Sequence, residues 1–364
     1  MVDVTDLLTD LNSDQLKAVT HQAGPAMVLA GAGSGKTKVL TTRVAWLLAN
    51  RMALPEEILL ATFTNKAAQE MNRRVYDLTG FSLPFAGTFH SLCAKILRKE
   101  AHHLHLPVGF SIYDAADQTS LINQIYKANQ LDAKRYKPVM IKAKISEAKN
   151  ELLTPERSAA LAADDFQEFV ARAYKLYQHA LEQQSALDFD DLLLLTVRLF
   201  KQHPDVLARY QEQITHVLID EYQDTNKAQY QLTKYFALPQ ENIYVVGDFA
   251  QSIYAWRGAD YRNLNKLKKD FPTMAEYRLE QNYRSTQTIL DAATQIIAQN
   301  TSHPILNLWT ENKQREPITL IETETGELEA QTIARCIADA HASRDYSQFA
   351  ILYRTNAQSR AFEE

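Results

Sequence analysis

The sequence predicts an α/β fold in which a parallel sheet is interrupted by a helical insertion. Three observations indicate this class. Short, nearly continuous apolar runs alternate with helical stretches, which is typical of parallel strands covered on both faces. A glycine-rich phosphate-loop pattern joins one apolar run to an amphipathic stretch, as expected between a strand and a helix. From about residue 111 to about residue 200 the pattern becomes helical, and the apolar runs resume near Val217.

The apolar runs are the predicted strands, and the stretches between them are the predicted helices. The helical insertion includes the amphipathic stretches Asp117–Asn129 and Phe166–Gln183, and a second α/β unit is expected to open near Glu276. The predicted strands are Ala26–Ala30, Ile58–Thr62, Val217–Asp220, Ile243–Gly247, Tyr277–Glu280, Pro317–Glu322 and Phe349–Tyr353.

Length and composition indicate a soluble globular protein of two or three domains. The chain has 364 residues, of which 46% are hydrophobic and 23% charged, and no apolar stretch is long enough to span a membrane. Its two cysteines, Cys93 and Cys336, exclude a disulfide framework and a cysteine zinc cage. The acidic N-terminus has no features of a signal peptide, so a reduced, cytoplasmic setting is expected.

The net charge of the chain gives little indication of whether it binds nucleic acid. The net charge of −5 does not suggest nucleic acid, although a binding groove needs only local positive charge. One stretch concentrates basic residues, opposed there by Glu147 alone, and taken by itself it is best interpreted as a solvated helical face. Its basic members are Lys134, Arg135, Lys137, Lys142, Lys144 and Lys149.

The phosphate-loop pattern predicts a nucleoside triphosphate site. Its backbone N–H groups can surround a polyphosphate at the N-terminus of the following helix. Lys36 would reach the β- and γ-phosphates, and the Thr37 hydroxyl would bind Mg²⁺. The strict pattern begins with glycine, where this chain has Ala30; an ordinary glycine-rich turn is the alternative. The eight residues are Ala30, Gly31, Ala32, Gly33, Ser34, Gly35, Lys36 and Thr37.

A second apolar run ends in two carboxylates, Asp220 and Glu221, which complete such a site. Asp220 can hold the Mg²⁺ that bridges the phosphates, and Glu221 can orient or deprotonate the attacking water. A solvated acidic turn is the alternative. ATP is favoured over GTP, because Asn65-Lys66 and Asn226-Lys227 both lack the carboxylate that would read guanine.

Two other groups of polar residues have simpler explanations than a metal site. His102, His103 and His105 have no nearby cysteine or patterned carboxylate, so we interpret them as surface or helix-end histidines. Asp188–Asp191 precedes an apolar helical stretch and is expected to cap its N-terminus.

Further segments occur in a fixed order around the phosphate loop and the acidic pair. The further segments are Leu11–Val19, Ala61–Ala68, Gly87–Ser91, Tyr222–Thr225, Val246–Asp260 and Glu280–Ser285. The most specific motifs are Asp220–Thr225 and Gln251–Asp260. Together these motifs closely resemble the UvrD/PcrA/Rep-type superfamily 1A DNA helicases, from about Leu11 to Glu364.

The resemblance implies roles for residues on the nucleotide side. Gln15 matches the glutamine that reads adenine, and Tyr283 matches the residue that stacks on the adenine ring. Arg284 matches an arginine finger, which makes hydrolysis depend on domain closure. Gln251 matches the glutamine that senses the γ-phosphate. The implied cofactors are ATP and Mg²⁺.

The resemblance also implies residues that contact DNA. Phe63, Tyr254 and Trp256 match positions where bases of single-stranded DNA stack, which suits binding to any sequence. Contacts to the strand are implied for Asn65, His90 and Arg257.

The implied architecture is a RecA-like P-loop NTPase domain with a helical insertion, followed by the start of a second RecA-like domain. The first core domain would comprise residues 1–110 and 201–275, the insertion 111–200, and the truncated second domain 276–364. Many family members have aspartate where this chain has Ala250. The family also continues past Tyr353–Arg360 with an accessory insertion, further motifs and a second arginine finger.

The resemblance implies an ATP-dependent 3′-to-5′ DNA helicase and translocase of DNA repair or replication. Its partners would be single-stranded and partially duplex DNA, with accessory loading proteins, and the protein would be a monomer or weakly self-associating. One alternative is a truncated module that binds ATP and DNA with little turnover. Another is a RecA-like ATPase without a nucleic-acid role.

Overall fold

The computed structural model describes residues 4–301, 303–312 and 316–363, without the side chains of Thr5 and Arg257. The described residues up to 312 form one compact unit, and those from 316 onward form another. Within these ranges, no helix combines the length and the apolar character that crossing a lipid bilayer requires.

Six parallel strands form the central sheet of the first unit, in the order β3-β2-β6-β7-β1-β8. Two further strands, β4 and β5, pair with each other in parallel. The strands are β1 (Ala26–Ala30), β2 (Ile58–Thr62), β3 (Phe85–Thr88), β4 (Ser111–Tyr113), β5 (Ala186–Asp188), β6 (His216–Ile219), β7 (Ile243–Gly247) and β8 (Ala275–Leu279).

The helices of the first unit account for most of its remaining regular structure. They are α1 (Val4–Leu8), α2 (Ser13–Val19), α3 (Lys36–Ala49), α4 (Asn65–Thr79), α5 (Phe89–Lys99), α6 (Ala115–Ala128), α7 (Pro138–Asn150), α8 (Pro155–Ala160), α9 (Asp165–Gln183), α10 (Phe189–Gln202), α11 (Pro204–Gln213), α12 (Lys227–Ala237), α13 (Arg262–Asp270) and α14 (Gln287–Ile297). The second unit contains α15 (Gly326–His341) and α16 (Arg360–Glu363).

The sheet has a hydrophobic core on each face, as the continuous apolar strands predict. Alternate residues of β1 enter different cores because successive side chains of a strand point to opposite faces. Met27 and Leu29 belong to one core, and Val28 and Ala30 belong to the other. All five residues of β1 are buried. The predicted α/β class with a parallel sheet is therefore confirmed.

The region from β4 to α10 is mainly helical, and α6, α7 and α9 share a third hydrophobic core. The predicted cap of α10 is also present, because the Asp188 side chain accepts the backbone N–H of Asp191 at 2.8 Å. Lys149 lies between these two carboxylates, 2.7 Å from Asp188 and 2.8 Å from Asp191. Lys149 is fully buried, so the prediction that it belongs to a solvated face is wrong.

Three strand predictions need correction. The strand expected to open a second α/β unit near Glu276 is β8, which pairs with β1 at the edge of the first sheet. The predicted boundary between residues 275 and 276 therefore falls inside a strand. The described residues of Pro317–Glu322 and Phe349–Tyr353 form no strand. Strands need neighbouring backbone to complete their hydrogen bonds, and the second unit's described residues provide only helices and irregular segments.

Candidate nucleotide and nucleic-acid site

The phosphate-loop segment adopts a tight turn between β1 and α3. Gly33 and Gly35 have φ values of +67° and +87°, a left-handed conformation that residues with a Cβ rarely adopt. The Ser34 hydroxyl donates to the Gly31 carbonyl at 2.8 Å and closes the turn. The following helix begins at Lys36, so its N-terminal N–H groups and the Lys36 side chain belong to the same short segment.

The segment after β8 packs directly on this loop. The Asn282 side-chain amide donates to the Ala32 carbonyl at 2.6 Å, and the Tyr283 backbone N–H donates to the Gly33 carbonyl at 2.9 Å. A Cβ at Gly33 would lie only 2.7 Å from Asn282 Nδ2 and 2.8 Å from Arg284 Cβ. Glycine at this position therefore lets the predicted arginine finger, Arg284, approach the loop.

Gln15 and Tyr283, the two predicted adenine contacts, both form hydrogen bonds with Asn12. Gln15 Nε2 donates to the Ser34 carbonyl at 2.9 Å, and Gln15 Oε1 accepts the Asn12 backbone N–H at 3.2 Å. The Asn12 side-chain amide donates to the Tyr283 hydroxyl at 2.7 Å. Asn12 also caps α2, which carries Gln15. It therefore positions both residues against the loop.

The acidic pair lies at the carboxyl end of β6, beside the phosphate loop. Lys36 Nζ is 3.2 Å from Glu221 Oε2. Glu221 has a left-handed backbone, with φ of +49°, which is uncommon for a residue with a side chain of this size. Such a conformation persists only where surrounding contacts hold it.

Asp220 has the properties of a cation ligand. It is 6% exposed, and its Oδ1 atom has no hydrogen-bond partner among the described residues. Burial and the neighbouring Glu221 carboxylate raise the pKa of Asp220 to about 7. A divalent cation would satisfy this oxygen and stabilise the ionised form. The donor set of Asp220 with the Thr37 hydroxyl therefore fits Mg²⁺.

One cavity of about 380 Å³ is lined by members of both the predicted nucleotide residues and the predicted DNA residues. Its walls include Thr37, Asp220, Glu221 and Gln251 together with Phe63 and Tyr254. A larger cavity of about 1240 Å³ has walls that include Leu104 and Tyr235, and none of the predicted site residues lines it. The smaller cavity is therefore the candidate functional site.

A chain of hydrogen bonds links Glu221 to Gln251 inside this site. Gln223 Nε2 donates to Glu221 Oε2 at 2.8 Å, and Gln223 Oε1 accepts the Asp248 backbone N–H at 2.9 Å. Gln251 Nε2 then donates to Asp248 Oδ2 at 2.6 Å. Sequence reasoning assigned no role to Gln223, Asp248 or Asn282. Gln223 and Asp248 follow strands β6 and β7, at the edge of a parallel sheet where ligands bind. Their positions after predicted strands could therefore have indicated a role in the site.

The predicted base-stacking residues form a continuous aromatic strip. The ring centroids of Phe63 and Tyr254 are 4.8 Å apart, and those of Tyr254 and Trp256 are 6.5 Å apart. Trp256 is 73% exposed. The structure thus brings the three aromatic residues together, with the outermost ring presented to solvent.

The other predicted strand contacts are distributed around this strip. Asn65 is exposed at the first turn of α4. His90 lies in the first turn of α5, with its ring 5.8 Å from that of the half-exposed Phe189, which the sequence did not single out. Burial lowers the pKa of His90 to about 4, so its imidazole is neutral at pH 7. The side chain of Arg257 lies outside the described residues.

The histidine group near the end of α5 has an ordinary explanation. Glu100, His102 and His103 bring possible metal ligands within 4.8 Å of one another. However, the guanidinium of Arg209 lies 2.9 Å from Glu100 Oε2, the oxygen that is 3.6 Å from His103 Nε2. Because an arginine already pairs with the carboxylate, the cluster gives no support for a cation site.

Comparison with known proteins identifies two family models along the chain. The UvrD/REP helicase N-terminal domain matches residues 11–272, and the UvrD-like helicase C-terminal domain matches residues 277–364. Similar curated proteins include the ATP-dependent DNA helicases PcrA of Staphylococcus epidermidis and Staphylococcus aureus. Each is 45% identical over 361 residues, which cover 98% of this chain and 50% of the relative. The chain therefore spans about half the length of the curated relatives that it matches.

Proposed function

The chain belongs to the UvrD/REP helicase family, and from this premise we propose that it hydrolyses ATP to move along single-stranded DNA. The proposed movement is 3′ to 5′ with unwinding of duplex DNA, in repair or replication. The observation that carries the proposal is the cavity that Thr37, Asp220 and Gln251 line together with Phe63 and Tyr254. A nucleotide and a DNA strand would therefore act on one connected set of residues.

On the nucleotide side, the loop from Ala30 to Thr37 would surround the phosphates, and Lys36 would supply a positive charge. Thr37 and Asp220 would hold Mg²⁺. The ion would neutralise charge on the phosphate oxygens. Gln15 and Tyr283, which Asn12 positions, would contact the adenine.

Glu221 would accept a proton from the attacking water. The contact with Lys36 keeps the Glu221 carboxylate beside the phosphate loop. The left-handed backbone of Glu221 directs this side chain away from strand β6. Arg284, held against Gly33, would stabilise the charge that develops on the γ-phosphate. Gln251 would detect whether that phosphate is present.

On the DNA side, bases would stack along Phe63, Tyr254 and Trp256. Stacking depends on the face of a base and not on its hydrogen-bonding edge, so the strip would accept any sequence. Asn65, His90 and Arg257 would contact the strand nearby. The other partners we propose are accessory loading proteins, with a monomeric or weakly self-associating protein in a cytoplasmic setting.

We also retain the domain organisation as a proposal, with a first RecA-like core of residues 1–110 and 201–275 and an insertion at 111–200. The second core, from 276 to 364, would include β8 as the strand that joins it to the first sheet. In this proposed arrangement, Tyr283 and Arg284 would lie on one side of the nucleotide and Lys36 on the other. Closure of the two cores around ATP would then change the positions of the rings in the aromatic strip.

Steady-state ATP hydrolysis by this 364-residue chain, with Mg²⁺ and with or without oligo-dT, tests the proposal. We expect hydrolysis that rises at least about tenfold on adding single strands, because DNA would favour the closed cleft. Displacement of streptavidin from the 5′ end but not from the 3′ end would support the proposed direction. Tight binding of ATP and DNA without turnover would instead support a truncated binding module. Neither family match supports that alternative.

A further inference from the structure

Gln223 joins two parts of the candidate site through a buried amide. The residue is 1% exposed, and both ends of its side chain are engaged. Its Nε2 atom donates to Glu221 Oε2, and its Oε1 atom accepts the N–H of Asp248, 25 residues further along the chain. One amide therefore connects the carboxylate after β6 with the segment after β7.

The surrounding backbone fits this side chain closely. A Cβ at Gly247, the last residue of β7, would lie only 2.9 Å from Gln223 Oε1. A larger residue there would push the amide away from the Asp248 N–H. At the other end, the left-handed conformation of Glu221 turns its carboxylate toward Gln223 and Lys36. Both ends of the connection thus depend on uncommon local geometry.

The contacts to Glu221 share one oxygen. Lys36 Nζ and Gln223 Nε2 both contact Oε2, at 3.2 Å and 2.8 Å. Two donors on one carboxylate oxygen restrain the rotation of the group, and Oε1 takes part in neither contact. Oε1 would then be the oxygen that accepts the proton, since a general base needs a defined position.

The other end of Gln223 leads to the proposed γ-phosphate sensor. The Asp248 carboxylate accepts from Gln251 Nε2 at 2.6 Å and also caps the Ala250 N–H at 3.0 Å. A shift of this short segment moves the Asp248 N–H on which Gln223 depends. A change at Gln251 that moves this segment would therefore be transmitted through Gln223 to Glu221.

We propose that Gln223 is a positioning residue for hydrolysis, which orients the Glu221 carboxylate and links its orientation to the Asp248–Gln251 segment. This inference rests on the proposed function. It predicts that loss of the amide reduces turnover far more than nucleotide binding, because Gln223 supports the base and not the phosphate loop.

The first test compares Gln223→Met with wild type and with the control Gln240→Met. Gln240 also donates through its amide, to the Gln211 carbonyl at 2.8 Å, but lies away from the site. For Gln223→Met we expect kcat to fall about 30- to 100-fold, while the Kd for ATP changes by less than about threefold. The control should keep kcat within about twofold of wild type. Thermal unfolding of both variants reports whether they remain folded.

The second test uses Gln223→Glu and the pH dependence of kcat. A neutral glutamic acid can donate O–H to Glu221 and accept the Asp248 N–H, as glutamine does, whereas its ionised form repels Glu221. The charged groups around this position are Lys36, Asp220, Glu221, Asp224 and Asp248. Burial among these carboxylates favours the neutral acid as pH falls. The ratio of wild-type kcat to the kcat of this variant should therefore decrease at least about fivefold from about pH 8 to about pH 6.

These outcomes separate the inference from the proposed function. If wild type shows DNA-stimulated hydrolysis that Glu221→Gln removes, but Gln223→Met turns over normally, the positioning role is wrong and the function stands. Equal losses in kcat and in ATP affinity for a folded Gln223→Met would also overturn it, since they indicate general disruption of the site. If the reduction in kcat of Gln223→Glu does not depend on pH, the positioning role is also wrong. Absence of hydrolysis in wild type contradicts the proposed function itself.

Discussion

The two ends of the candidate site are built differently. At the nucleotide end, polar side chains are buried and joined by hydrogen bonds, as for Asn282, which is 2% exposed and bound to the phosphate loop. At the other end, Trp256 and Ile253 are exposed, and the aromatic rings of the strip contact one another. Phosphate chemistry requires charges held in fixed positions, whereas base stacking tolerates variation. The difference predicts that variants at each end affect different ligands.

The largest effect is expected for Lys36→Ala. This change removes the positive charge beside the phosphate loop and leaves the Glu221 carboxylate without its lysine partner. ATP binding should weaken at least about 10²-fold and turnover should be lost. Binding of a fluorescent ATP analogue measures this, and Lys38→Ala is the control because its Nζ donates to the Asp10 carbonyl instead. Retained ATP affinity would show that the loop does not bind phosphates as proposed.

Glu221→Gln should separate binding from hydrolysis. Glutamine keeps the size of the side chain but is a much weaker base, so turnover should fall about 10²- to 10⁴-fold. Its Kd for ATP should stay within about threefold of wild type, because the loop, Thr37 and Asp220 are unchanged. Single-turnover hydrolysis provides the measurement, with the exposed Glu212→Gln as a control. An unchanged rate would refute the assignment of Glu221 as the base.

Trp256→Ala should have a moderate effect confined to the other end of the site. Loss of one stacking ring costs about 1–3 kcal/mol, equivalent to about 5- to 150-fold in affinity for oligo-dT. ATP affinity without DNA should not change, and Trp256→Phe should recover part of the loss. Fluorescence anisotropy measures the binding, with Tyr76→Ala as an exposed aromatic control. Wild-type DNA affinity in Trp256→Ala would mean that the strip does not contact DNA.

The smallest effect concerns His90 and pH. Because burial lowers its pKa to about 4, His90 carries no charge from about pH 6 to about pH 8. Protonation of His90 should therefore alter oligo-dT affinity by less than about twofold across this range at constant ionic strength. Comparison of wild type with His90→Gln isolates its contribution. A gain of tenfold on acidification that His90→Gln abolishes would indicate a histidine that titrates near neutrality.

Much of the fold was predictable where short segments carry their own signal. Strands β1, β2 and β7 occur at the predicted residues, because buried parallel strands are continuous apolar runs. The cap at Asp188 was also predictable, since capping involves residues three positions apart. The pairing of strand β8 with β1 was not predictable, because the sequence of a strand does not reveal which neighbour completes its hydrogen bonds. The apolar segments at 317–322 and 349–353 illustrate the same limit.

The chemical groups of the candidate site and their order along the chain can be read from the amino-acid sequence alone. The phosphate loop, the Asp220–Glu221 pair and the aromatic residues are local patterns whose residue types indicate their chemistry. In contrast, the folded chain was needed to show that Gln223 bonds to both Glu221 and Asp248, and that Asn282 reaches Ala32 from 250 residues away. The reason is physical, because a buried amide takes whichever partners the packed chain brings within about 3 Å. Those partners are set by the fold and leave no periodic signal in the sequence.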